Sequence, residues 1–220
     1  MTLIAEDLLL LLLDDQSGKP DTGHLDIALG GAVLVDLALE GGLVEVVSHG
    51  SLLGSAKLRR APGAKVGDRI LAGALGAVAE NKPAQRLVVK VGKGLLEPLA
   101  ERQLRRGALD RREEKVLGLV TRTRWPSRDP SRKESIRRGL VVVLVQGGHA
   151  DARSAALIGL LLAVNRLHRT VSHPDASARR LEHRAKEVAR ENWASPTVKG
   201  AVAVATAATA AALSAAVEGG

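Results

Sequence analysis

The chain has no cysteine, no phenylalanine and no tyrosine, and only two tryptophans, Trp125 and Trp193. Without cysteine, disulfides and thiolate metal sites are excluded, and nothing marks the redox compartment. With so few aromatic faces, the stacking platforms that bind single-stranded nucleic acid are not expected. The core must be built from Leu, Val and Ala, and 220 residues at 45% hydrophobic content suffice for one domain or two small ones. Catalytic signatures are also missing. There is no His-Glu-x-x-His and no glycine-rich run ending in Gly-Lys-Ser/Thr. The six histidines, His24, His49, His149, His168, His173 and His183, are scattered. Gly92-Lys93-Gly94 precedes a helix, where an anion can bind, but lacks the full phosphate-loop spacing. Asp14-Asp15 and Glu113-Glu114 are adjacent pairs whose side chains point apart, so they read as solvent-facing rather than as an acid/base couple. The expectation is a non-enzymatic protein with no cofactor and no metal.

Charge is present, and it is concentrated. Glu101–Arg138 holds thirteen Lys/Arg against six Asp/Glu, a local balance of +7 in a chain whose total is +8. Inside this stretch lies a short apolar run, Val116-Leu117-Gly118-Leu119-Val120. A basic surface with a greasy centre suits an anionic membrane or a nucleic acid backbone.

Periodicity predicts a mainly α protein, read as a single domain over 1–220. Ile4–Leu13 is apolar on nearly every side and reads as a buried helix. It has no basic leader and no small-residue cleavage site, so it is not read as a signal peptide. A turn-rich loop (14–23) leads to a second apolar helix, 25–39, and a short strand at 43–47. Residues 48–67 read as an irregular loop or ragged hairpin. Asp68 caps a helix over 69–80, and 87–91 is undecided between strand and helix. An amphipathic helix at 95–106 stops at Gly107. A hairpin follows, with 108–111 as one strand, Glu113-Glu114 near the turn and 116–124 as the return. Ser131 with Glu134 reads as a capping box opening a helix to Val145. Asp151 caps an apolar helix, 152–169, and a basic helix spans 176–192. Ser195-Pro196 opens an Ala-rich helix to 217, expected to pack on the core rather than to span a bilayer.

The basic hairpin has three readings. One is a solvated face. A second is a winged helix–turn–helix, although no basic recognition helix precedes the wing, which disfavours nucleic acid. The third is a peripheral membrane contact. In it Val116, Leu117 and Leu119 dip into the interface while Arg111, Arg112, Lys115, Arg122 and Arg124 meet anionic headgroups. Self-association of the same apolar tip with a second subunit is its closest rival.

Four blocks, taken in order, resemble the Golgi phosphoprotein family: LIAEDLLLLLLDDQSG, ALGGAVLVDLALEGGLVEV, DRILAGAL with LAERQLRRGAL and its hairpin, and DARSAALIGLLLAVNRL. They cover about Leu3 to Trp193, and the aliphatic, aromatic-poor composition is similar to that of actinobacterial members. The resemblance implies a central apolar helix ringed by amphipathic helices, with a protruding hairpin. It also implies a cytoplasmic, non-enzymatic adaptor that binds phosphatidylinositol 4-phosphate peripherally on the membrane's inner face and gathers protein clients. The family's lipid pocket uses a loop tryptophan and three arginines. Here the loop offers Asp21-Thr22, one arginine position falls at Gly30, and the other two fall near Lys93 and Leu96. Lys93 is the one remaining pocket candidate, so the resemblance implies an anionic-surface contact whose specific headgroup pocket is degenerate.

Overall fold

The computed structural model describes residues 2–46, 57–78, 82–116, 120–191 and 193–219. The order of elements is α1 (Ile4–Leu12), α2 (Leu25–Leu39), β1 (Leu43–Val46), β2 (Lys57–Arg60), α3 (Arg69–Val78), α4 (Ala84–Gly92), α5 (Leu96–Arg105), β3 (Arg112–Val116), β4 (Val120–Arg124), α6 (Ser131–Leu144), α7 (Ala152–Ala163), α8 (Leu167–Thr170), α9 (Ala178–Arg190) and α10 (Pro196–Glu218). The protein is mainly α, with two small antiparallel hairpins, β1–β2 and β3–β4.

The centre is α2. Every residue from Leu25 to Ala38 except Asp26 is buried, and α1, α3, α4, α5, α7 and α10 all pack on it. A helix apolar on all sides is stable only when ringed in this way. Its two mid-helix glycines explain how the ring closes. A methyl group on Gly30 would overlap the carbonyl oxygen of Val88 on α4, and one on Gly31 would overlap Thr209 Oγ1 on α10. Reciprocally, a methyl on Gly92 would overlap the carbonyl oxygen of Asp26. At the crossing of α2 with α4 the backbones touch, so only glycine fits there, whereas Gly31 meets a side chain.

α1 is buried over its whole length, including Glu6 and Asp7. Residues 87–91 are helical, within α4. Asp68 caps α3 through Ile70 N at 2.8 Å, Asp151 caps α7 through Ser154 N, and Ser195 caps α10 with Pro196 at its start. The capping box expected at Ser131 is not formed. Helix α6 begins at Ser131, and the preceding Asp129 carboxylate accepts from Ser131 N and Oγ at 2.9 Å each. Asp129 wins because it sits before the first turn, where the free N–H groups face outward; these bonds hold its carboxyl below the ordinary range. By length and composition α10 is long and apolar enough to cross a membrane. One side of it packs on α2, α4, α7 and β1, burying Ala201, Ala205, Ala208 and Ala212.

Candidate functional site

The β3–β4 hairpin differs in register from the sequence expectation. Glu113 and Glu114 are strand residues, paired with Thr123 and Arg122, and not the turn. The first strand is Arg112–Val116 rather than 108–111, because Leu109 is drawn into a separate bridge with Ser127 at the hairpin's base. Leu117 and Leu119 lie outside the described residues; Val116 pairs with Val120 at the last described rung.

Directly opposed residues of an antiparallel pair share a face. Arg112 opposes Arg124 and Glu114 opposes Arg122, so three arginines and one glutamate occupy one face. Lys115, opposed to Thr121, lies on the other. Arg124 Nε reaches diagonally to Glu114 at 2.6 Å, and that guanidinium holds the Glu114 carboxyl below its ordinary range. Arg112, Lys115 and Arg122 are exposed and make no salt bridge among the described residues. Arg111 lies just before the hairpin, 5.8 Å from the ring centre of Trp125 and 3.7 Å from Glu97. Lys93 caps the C-terminal end of α4, exposed and away from the hairpin in sequence.

The hairpin's base is fastened to the α1–α2 loop. Trp125 is buried, its backbone N–H donates to the carbonyl of Gly18 at 3.4 Å, and Ser127 N donates to that of Asp15 at 2.9 Å. Gly18 has φ of 63° and abuts the backbone of Trp125 and Pro126 so closely that no side chain fits. Lys133, buried on α6, completes the clamp by donating to the Leu13 carbonyl and to Asp15.

Much of the charge that marks 101–138 is paired with carboxylates of other elements. Arg106 pairs with Glu6 at 2.9 Å, and Arg132 with Asp7 at 2.8 Å. Arg153, on α7, also holds Asp7 and donates to the Thr2 carbonyl. Arg102 grips Asp68 with both guanidinium nitrogens, at 2.6 and 2.9 Å, which lowers the Asp68 pKa and raises that of Arg102. Of the cations within α5 itself, only Arg105 stays outside a salt bridge among the described residues, so the helix before the hairpin is poorly furnished to read bases. The signal for this network is present in α1. Glu6 and Asp7 sit in an otherwise apolar helix, and buried carboxylates require cations.

The pocket positions implied by the resemblance are resolved by the same packing. Gly30 is a helix contact and has no room for arginine, and Leu96 is the first residue of α5. Among the described residues no three His, Asp or Glu side chains are grouped to hold a metal ion.

A buried central helix, a ring of helices around it and a basic hairpin pinned to the first loop define an α-helical scaffold carrying a projecting charged ribbon. The family model described as Golgi phosphoprotein 3 (GPP34) matches residues 4–205, and the chain belongs to that family. No curated protein matches it.

Proposed function

We propose that this protein docks reversibly on anionic membrane surfaces through the β3–β4 hairpin and acts there, on the cytoplasmic face, as a non-enzymatic adaptor for a protein client. The observation that carries the reading is the hairpin face bearing Arg112, Arg122 and Arg124 against a single glutamate. Each cation near an anionic surface contributes about 1 kcal/mol. Inserting a Val or Leu from the 116–120 run adds about 1.5–3 kcal/mol at most. That sum suits reversible contact rather than permanent anchoring. The contact is general for anionic headgroups, because Gly30 and Leu96 stand where the family's pocket carries arginine and Lys93 is alone.

Liposome co-sedimentation tests the reading. Binding is expected to rise with anionic lipid content and to fall in Arg112→Ala/Arg122→Ala and in Leu117→Asp/Leu119→Asp. Equal binding to neutral vesicles, or no change in either variant, overturns it. If the leucine variant instead shifts the sedimentation coefficient of the lipid-free protein, the hairpin's partner is a second subunit.

A further inference from the structure

Among the described residues only two large hydrophobic side chains are exposed, Val142 at 45% and Val217 at 71%. They stand on different elements, one on α6 and one in the last turn of α10. A lone valine at the surface needs no explanation. The setting of each of these two, however, complements the setting of the other.

Val142 is one wall of a cleft of about 340 Å³ between the second half of α6 and the segment that follows α8, and Val141 and Val171 are further walls. Of the charged groups that line this cleft, Glu134 and Arg137 are paired with each other. Arg138 is exposed and makes no salt bridge among the described residues. The cleft therefore offers aliphatic walls and one uncommitted cation.

The end of α10 offers the reverse. Ala212 is the last buried residue of that helix, and Ser214, Ala215, Val217 and Glu218 beyond it are exposed. Glu218 makes no salt bridge among the described residues. It lies in the last turn, where the helix dipole adds partial negative charge. The tip is an aliphatic knob with an uncommitted anion beside it. It does not fill the cleft of its own chain, because α10 packs on α2, α4, α7, β1 and β2 and Val217 stays exposed. The tip also lies outside residues 4–205, which the family model matches.

We propose that the α10 tip of one molecule seats in the α6–α8 cleft of a second copy of this chain, with Val217 against Val141, Val142 and Val171 and Glu218 paired with Arg138. A knob that meets a pocket elsewhere on the same molecule makes a heterologous contact, which runs head to tail unless it closes into a ring. One helix end in one cleft is at the low end of interface sizes, so the assembly is weak and depends on concentration. It uses no residue of the β3–β4 hairpin and stands independently of the membrane-docking reading.

The test is sedimentation velocity of the lipid-free full chain from about 10 μM to about 1 mM, a range in which a millimolar contact is detected. The average mass of the wild type should rise with concentration. Val217→Asp and Val142→Asp, both at exposed positions, should each weaken association by about tenfold or more, at unchanged circular dichroism. Mixing these two variants is the decisive step. One keeps an intact cleft and the other an intact tip, so the mixture should form a heterodimer that neither variant forms alone. Arg138→Glu and Glu218→Arg should each weaken association by about fivefold, and combining them should restore it. A monomer at every concentration overturns the proposal, as does association that survives both valine variants or a mixture that does not associate. Loss in Val217→Asp but not in Val142→Asp overturns it in favour of two α10 tips meeting. Loss only in Leu117→Asp/Leu119→Asp overturns it in favour of a hairpin contact.

Discussion

The carboxylate of Asp36, on the central helix, accepts the backbone N–H of Ile4 at 2.8 Å. Its second oxygen accepts that of Ala5 at 3.0 Å. Helix α1 is thus capped from 32 positions away. Leu3, which stands at the capping position, has no oxygen to offer, and the free N–H groups there are buried among leucines, where an unpaired donor costs about 1–3 kcal/mol. The Glu6 carboxylate takes the N–H of Leu3 at 2.7 Å.

Asp36 makes the protein sensitive to pH. Burial raises its pKa from 3.8 to about 7, against the opposing pull of the two N–H groups and of Arg153. A carboxyl whose folded pKa lies above its unfolded value favours the protonated folded state. Its contribution is fully present below about pH 4, is lost as pH rises toward 7 and is flat above that, at about 1.4 kcal/mol per pKa unit. Stability of Asp36→Asn relative to wild type should therefore rise between pH 4 and pH 7 and level off beyond. Parallel urea denaturation curves across that range would show that Asp36 does not titrate there.

Asp7 is buried between Arg132 and Arg153. Removing one arginine leaves the other and should cost little. Removing both strands a buried charge, at about 3–5 kcal/mol. The double variant should therefore lose more than the sum of the singles, and adding Asp7→Asn should recover part of the loss. Chemical denaturation of the four variants checks this; additive losses would mean that the two cations act independently.

Gly30→Ala and Gly92→Ala should each destabilise the protein by about 1–3 kcal/mol, because the added methyl group meets a backbone carbonyl on the facing helix and not a flexible side chain. The same clash means that Gly30→Arg should unfold or distort the protein rather than create a phosphoinositide pocket. Thermal melts and binding to phosphatidylinositol 4-phosphate vesicles report both outcomes; a stable Gly30→Arg with tight headgroup binding would contradict the packing.

Gly18→Ala strains the loop that holds the hairpin, through its positive φ and its contact with Trp125 and Pro126. A loss of about 1–3 kcal/mol is expected. The buried Trp125 should gain solvent access and its emission should shift to the red. Val142→Ala, on exposed surface, should leave both unchanged and serves as the control.

Most of the helices were legible because their apolar spacing and their caps are local. Asp68, Asp151 and Ser195 each stand within three residues of the N–H they serve. The hairpin's register was not legible. Glu113-Glu114 reads as near the turn by composition, yet both residues are on the first strand, paired with Thr123 and Arg122, because Leu109 is held at the base by Ser127 and the ladder starts later along the chain. Residues 87–91 were undecided for a related reason. A short apolar run becomes helix or strand according to what it packs on, and here it packs on α2.

The sequence by itself determined the aliphatic core, the mainly α class, the order of the helices, the family and the place where net charge gathers. These depend on composition and on spacings of a few residues, which the chain carries wherever it folds. The tertiary structure alone decided which cations remain available. Arg102, Arg106, Arg132 and Lys133 read as part of one basic surface, and each is committed to a carboxylate on α1, in the α1–α2 loop or at the start of α3. Charge counted along a chain cannot show this, because pairing depends on distance through space, and the partners of these four lie between 34 and 125 residues away.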